Sequence, residues 1–227
     1  MIATGPSALL SSILPSSVVA AEAYGDLRDV WTSDDEMSAL AAAVTTRRAE
    51  FVTARACARS ALAQAGVMPA AIPVGSSGAP VWPQGIVGSI THCSGYRGAA
   101  VARRGKILAI GIDAESDSPI ADDLAVNFCS ESELLRARLV LDIASKSHAG
   151  RLLFSAKEAV YKAWSTFDGG WLDFMDVSID FAWTGRFGAT LADGAVDSAR
   201  VVPRSMGGGW CRARGLILTA VVITTTG

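Results

Sequence analysis

The sequence predicts a mixed α/β (α+β) protein of two similar lobes, each a small sheet packed on a long helix. Three observations carry this. Two stretches have strong helical patterning, about Ala39–Ala65 and Arg151–Ser165. Several short apolar runs of strand character surround each of them. Half of the 227 residues are apolar, enough to bury a sizeable core. Each half of the chain holds one long helix and several strands, which sets the lobes at 1–105 and 106–227, with the boundary near Gly105.

The elements follow in order. Ala8–Ala21 is apolar and small, but no Lys or Arg precedes Arg28 and Pro15 interrupts the run. It therefore lacks the basic start of a secretion signal and reads as a strand or turn packed on the fold. The first helix is alanine-rich and is stopped by Gly66 and Pro69, with Phe51, Ala54, Ala58 and Leu62 on its buried face. Pro73–Gly85 is turn-rich. Val87–Ile90, Gly98–Arg103 and Lys106–Glu115 read as strands. Asn127–Ala144 reads as a helix with Ser130 and Glu133 as a capping box, and Lys146–Gly150 as a loop. After the second long helix, Val177–Asp180, Thr184–Leu191 and Trp210–Ile223 read as strands joined by glycine-rich turns. Gly207–Gly209 lacks the Lys and Ser/Thr of a phosphate-binding loop and reads as a flexible turn.

Composition narrows the function. The net charge is −2 with 19% charged residues, unlike a domain built to bind nucleic acid. The four cysteines are scattered without a CxxC pair, so neither a zinc site nor a disulfide framework is indicated. No stretch has the length and apolarity of a membrane span. The expected location is the cytoplasm.

Several residue groups could carry chemistry. On a strand, Asp113 and Glu115 point the same way while Ile112 and Ala114 point to the core. Two adjacent carboxylates repel unless a proton or cation lies between them, and Mg²⁺ is a natural occupant. Glu158 and Lys162 stand at i, i+4 on one helical face, with Lys157 beside them. His92 follows a strand in a polar, glycine-flanked segment. Arg47, Arg48, Arg55 and Arg59 crowd one helix with a single acid, Glu50, and could hold an anion. Read alone, the acidic pair is better explained as a solvated strand end and Glu158–Lys162 as a common surface ion pair, whereas the crowded arginines fit a plain solvated helix face less well.

Their order along the chain is more specific. Gly111–Glu115 (GIDAE) followed by Phe154–Trp164 (FSAKEAVYKAW) resembles the signature of the Sfp-type 4'-phosphopantetheinyl transferases. Gly88–Val101 (GSITHCSGYRGAAV) is similar to the family's preceding segment, and RRAEFVTARACARSAL and GAPVWP extend the likeness over most of the chain. It is most similar to actinobacterial members of the enterobactin-synthase-component type. The resemblance implies two pseudo-symmetric lobes with the active site in the cleft between them. It implies transfer of the phosphopantetheine arm of coenzyme A to a serine of an apo acyl or peptidyl carrier protein. Asp113, Glu115 and Glu158 would surround Mg²⁺, with Asp113, Glu158 and Lys162 catalytic. Lys157, Lys162 and His92 would contact phosphates, Thr91 with His92 would face coenzyme A, and Arg47 and Arg55, helped by Arg48, would hold the adenosine 3'-phosphate. Val74 and Ser77 stand where relatives often carry lysine, and Phe154 where they often carry Trp. Internal pseudo-symmetry implies a monomer. The competing readings are a non-catalytic coenzyme A or nucleotide binder and a metal-dependent phosphohydrolase.

Overall fold

A computed structural model describes the chain except residues 39, 41–42, 142–147, 168–169, 196–202 and 226–227. Among the described residues nine strands form two antiparallel sheets. The first sheet has the order β1-β2-β4-β3, from β1 (Ile2–Thr4), β2 (Val19–Tyr24), β3 (Ile86–Cys93) and β4 (Tyr96–Arg103). The second has the order β5-β9-β8-β7-β6, from β5 (Ile107–Ser116), β6 (Val177–Ala182), β7 (Arg186–Leu191), β8 (Ser205–Ala213) and β9 (Leu216–Thr224). The α-helices among the described residues are α1 (Asp34–Ser38), α2 (Thr45–Gln64), α3 (Asp122–Ala125), α4 (Glu131–Val140) and α5 (Ala149–Phe167). No helix among the described residues is long and apolar enough to cross a membrane.

Strand alternation sorts the core into layers. Ala21, Ala99 and Val101 face α2, where they meet Cys57, Ala58, Ala61 and Leu62. Their neighbours Ala20, Ala100 and Ala102 face the other way and join Ile110, Ile112, Ala114, Leu218 and Ala220 from the second sheet. On the far side of that sheet, Ala109 and Ile217 pack against Ala156, Ala159, Val160 and Ala163 of α5. The anticipated buried face of the first helix, Phe51, Ala54, Ala58 and Leu62, is buried.

The helix itself starts later than its alanine content suggests. Val44 is extended (φ −67°, ψ 158°) and breaks the chain between α1 and α2. It ends in a Schellman motif: Gly66 (φ +68°) takes the left-handed turn while Val67 N donates to the Leu62 carbonyl and Gly66 N to that of Ala63. Ser130 caps α4 by accepting from Glu133 N, but the Glu133 carboxylate turns inward to other partners, so only half of the expected capping box forms. Ala149 and Gly150 belong to α5 rather than to a loop.

Gly207–Gly209 is also not a turn. These residues lie within β8, and the glycines permit close approach: a Cβ on Gly208 would sit 2.1 Å from the Phe187 ring and one on Gly209 2.4 Å from the Ile13 carbonyl. Ile13 belongs to the N-terminal segment, which is a pair of 3-10 turns leading into β2. The buried carboxylate of Glu22 holds that segment by accepting from Leu9 N (2.7 Å), Leu10 N (3.2 Å) and the Tyr96 hydroxyl (2.9 Å).

The two sheets meet edge to edge at β3 and β5. Hydroxyls, not a backbone ladder, bridge them: Ile112 N donates to Ser89 Oγ (3.1 Å) and Ala114 N to Thr91 Oγ1 (3.0 Å). This seam forms the floor of the cleft between α2 and α5.

Candidate active site

The site is built on the outward face of β5. As strand geometry requires, Gly111, Asp113 and Glu115 face α5, while Ile112 and Ala114 are buried at 0% and 1% exposure on the opposite side. Gly111 decides how near the helix can come. A Cβ there would lie 1.9 Å from the Ala159 carbonyl oxygen and 2.6 Å from Ala163 N. Glycine on the strand and alanines on the helix therefore let α5 rest directly on β5.

That contact brings the helix's polar side chains to the strand's carboxylates. Lys162 Nζ donates to Asp113 Oδ1 (2.6 Å) and to the Ile112 carbonyl (3.2 Å). Asp113 is 5% exposed, and its Oδ2 is buried with no hydrogen-bond partner. Glu115 Oε2 accepts from Arg151 Nη1 (2.9 Å). Burial pushes the Glu158 carboxyl up; Lys162 opposes the shift and Asp113 adds to it. Burial also raises Glu115, reinforced by Asp113 and opposed by Arg151 and Lys162. Glu158 and Glu115 thus each share the field of Asp113.

The other wall belongs to the first lobe. His92 lies at the end of β3, within the strand rather than in a loop, and contacts Arg47 Nη1 through Nε2. A guanidinium only donates, so this contact is a hydrogen bond only with Nε2 unprotonated. Burial and the Arg47 charge, with a smaller contribution from Lys162, lower the His92 pKa, while Glu50 opposes the shift. Arg47, Arg55 and His92 line a cavity of about 350 Å³ closed by Val74, Gly78 and Pro80. A second cavity of about 540 Å³ shares Gly78, Pro80 and Ile90 and reaches Tyr161 and Lys162 of α5. The two form one trough, arginines at one end and Lys162 at the other. Val74 and Ser77 each line one of its parts, and Arg47 and Arg55 supply the cations that the turn itself lacks.

Arg55 is nearly buried, stacked 3.2 Å over the Phe51 ring with Nε donating to the Ile72 carbonyl (2.7 Å). Burial lowers its pKa to about 10 despite Glu36. Arg59 binds the fully buried Glu36 (2.9 Å) and serves the first lobe's core. Arg48 Nε donates to the Ala43 carbonyl, and Arg48 does not line the trough.

Two expected ligand contacts are corrected by burial. Lys157 is 1% exposed, and its ammonium donates to Glu133 Oε2 (2.9 Å) and the Phe174 carbonyl (2.9 Å). Glu133 also accepts from Ile179 N (2.7 Å). Lys157 therefore ties α5 to α4 and β6 inside the second lobe, one helical step away from the cleft. Thr91 is 3% exposed, and its hydroxyl accepts from Ala114 N and donates toward Asp113 Oδ1 (3.4 Å). It orients the aspartate rather than facing a ligand.

Two family models match the chain: the 4'-phosphopantetheinyl transferase N-terminal domain over residues 35–102 and the 4'-phosphopantetheinyl transferase superfamily over residues 109–210. The 4'-phosphopantetheinyl transferase PptT of Mycobacterium tuberculosis is 41% identical across 95% of this chain and 98% of its own length. The chain belongs to the 4'-phosphopantetheinyl transferase superfamily. The transferase is also 39% identical to Npt of Nocardia iowensis, over 94% and 99% of the two lengths. Enterobactin synthase component D of Salmonella typhi is 36% identical over 52% of this chain and 49% of its own. The activity is that of the family, transfer of the phosphopantetheine arm of coenzyme A to a carrier protein.

Mg²⁺ takes oxygen ligands, and the acidic face of β5 offers them. Among the described residues no three His, Cys, Asp or Glu side chains are gathered as a cage. Asp113 Oδ2 is nevertheless buried without a hydrogen-bond partner, a lone-pair oxygen free to take a cation. Glu158, which shares its field, makes no hydrogen bond or ion pair among the described residues. Mg²⁺ needs only one or two protein carboxylates when substrate phosphates complete its shell. The residues present fit such an ion.

Proposed function

We propose that the trough between α2 and α5 binds coenzyme A with Mg²⁺, and that Glu158 and Lys162 carry the transfer to a carrier-protein serine. The observation that supports this most is the cluster of Asp113, Lys162 and Glu158 beside a trough whose far end holds Arg47 and Arg55. An anion of several phosphates needs cations spaced along its length, and a phosphoryl transfer needs positioning and charge stabilisation more than covalent help.

In this reading Arg47 and Arg55 take the adenosine 3'-phosphate, and His92 Nδ1–H and Lys162 take the diphosphate. Asp113, Glu115 and Glu158 would hold the cation, which when bound would neutralise the diphosphate and the leaving oxygen. The serine hydroxyl attacks the phosphorus that bears the pantetheine arm. Its proton passes to Glu158, directly or through a water. The new serine O–P bond forms as the bond to the bridging oxygen breaks, and adenosine 3',5'-bisphosphate leaves. Lys162 stabilises the charge on the non-bridging oxygens. A carboxylate beside a bound cation is a weaker base, which favours the route through a water.

The carrier is an acidic helical protein. It docks on the second lobe, where Leu124, Val126, Leu135 and Leu139 of α3, α4 and their junction are exposed. The enzyme acts in the cytoplasm as a monomer, its two lobes, 1–105 and 106–227, dividing substrate binding from catalysis.

Incubation with coenzyme A, Mg²⁺ and an apo carrier protein, followed by mass spectrometry of the carrier, tests the reading. A gain of one phosphopantetheine arm is expected, and its loss by a factor of about 10²–10⁴ in folded Glu158→Gln. An unmodified carrier beside bound coenzyme A would make the protein a binder. Coenzyme A hydrolysed without transfer would make it a hydrolase.

A further inference from the structure

We propose that buried Arg97, acting through Glu50, positions Arg47 and His92 on the wall of the trough and so sets the affinity for coenzyme A. The inference rests on the transferase reading above. It makes Arg97 and Glu50 positioning residues, since neither lines the trough itself.

Arg97 sits in β4 directly opposite His92 of β3. Its side chain is 4% exposed, and a charge kept out of water must be matched by acceptors. Nη1 donates to the carbonyls of Cys93 (2.5 Å) and Tyr96 (2.9 Å), the residues that flank the β3–β4 turn. Nε donates to Asp26 Oδ1 (3.0 Å) and Nη2 to Glu50 Oε1 (3.4 Å). One planar fork thus ties the hairpin that carries His92 to the start of α2, which carries Arg47.

Glu50 is the link between core and wall. Its Oε1 faces Arg97, and its Oε2 accepts from Arg47 Nη1 (3.5 Å), one helical turn earlier. The Arg47 side chain is 48% exposed, and the same Nη1 meets His92 Nε2. A long exposed side chain otherwise spreads over many rotamers. Holding it in place before a ligand arrives lowers the entropy lost on binding. The chain Arg97–Glu50–Arg47–His92 therefore runs from a fixed buried end to the two side chains that face the ligand.

The sign of the effect distinguishes this role from plain electrostatics. A carboxylate beside an anion's seat repels the anion, so a Glu50 that acted by charge alone would weaken coenzyme A binding. A Glu50 that positions Arg47 strengthens it.

Calorimetric titration of the full chain with coenzyme A and Mg²⁺ reads the affinity, and kinetics with an apo carrier separate KM from kcat. Glu50→Gln keeps the shape and one acceptor for Arg97 but loses the oxygen that holds Arg47. It is expected to weaken coenzyme A binding by about fivefold, with kcat changed by less than about twofold. In an Arg47→Ala background the same substitution should cost less than about twofold, because the two residues act as one unit. Arg97→Lys keeps the charge without the fork and should weaken binding by about tenfold, since Arg47 and His92 both lose their support.

Tighter or unchanged binding in Glu50→Gln would overturn the proposal. So would a fivefold loss that persists without Arg47, or a folded Arg97→Lys that binds as wild type does. If Arg97→Lys does not fold, Glu50→Gln and its double variant with Arg47→Ala decide by themselves. Wild-type protein that binds no coenzyme A would instead sink the transferase reading together with this one.

Discussion

Helices α2 and α5 do the same architectural work and use their charges in opposite ways. Both lie along the outer face of a sheet through small buried residues. On α2 most of the charge is turned inward. Arg59 is bonded to the buried Glu36, Arg48 donates to a nearby carbonyl, and Arg55 is stacked and half spent on the Ile72 carbonyl. On α5 Lys157 lies on the buried side, spent on Glu133, and the face toward β5 carries Glu158 and Lys162, the latter on Asp113. Charge density on a helix therefore says little about binding until its internal partners are known.

Several experiments would break or sharpen this contrast. The largest expected effect is at Lys157. Lys157→Met leaves Glu133 buried without its cation and should cost about 3–5 kcal/mol of stability, measured by chemical denaturation. Adding Glu133→Leu should recover part of that loss. A stable single variant with weakened coenzyme A binding would return Lys157 to the site.

Gly111→Ala comes next. Its Cβ would overlap the Ala159 carbonyl, and the forced separation of α5 from β5 should cost about 1–3 kcal/mol and lower turnover through misplaced Lys162. Unchanged stability and rate would mean that the helix can shift without consequence.

Arg47→Ala, on the wall of the trough, should raise the KM for coenzyme A by about tenfold, with a smaller change in kcat. This separates a cation held for a ligand from one held for the fold.

The smallest effect is pH-dependent. Burial raises the Glu158 pKa in the folded protein, so the folded state binds that proton more tightly than the unfolded chain. Its contribution is fully present below the unfolded carboxylate range and is lost as pH rises through the raised value. Without metal or coenzyme A, Glu158→Gln should therefore unfold at a higher temperature than wild type at pH 7, with the difference fading toward pH 4. A difference that grows on acidification would reverse the assignment.

Much of this arrangement is legible in the sequence because strand and helix periods are geometric. Two-residue alternation fixes that Asp113 and Glu115 share a face, and the spacing of Glu158 and Lys162 fixes that they share another. Neither period says which faces meet. Gly111 holds that information, but a glycine reads as a turn or a bulge until the helix that needs its missing Cβ is known. The same ambiguity turned Gly207–Gly209 into an anticipated loop. Lys157 was misplaced because adjacency in sequence is a rotation of about 100° on a helix, enough to move a side chain from cleft to core. Arg151 lies seven residues before Glu158 on the same face, but its pairing with Glu115 is not legible because that partner is on another element.

The seam of hydroxyls between β3 and β5 has one more consequence. Each strand presents an edge that is unpaired within its own sheet, and the two edges hide one another through Ser89 and Thr91. A half-molecule cut after Gly105 would bare such an edge, with free backbone donors and acceptors ready to recruit strands from other chains. Joining both halves in one polypeptide keeps each edge permanently covered, so the join that shapes the cleft floor also guards the protein against aggregation.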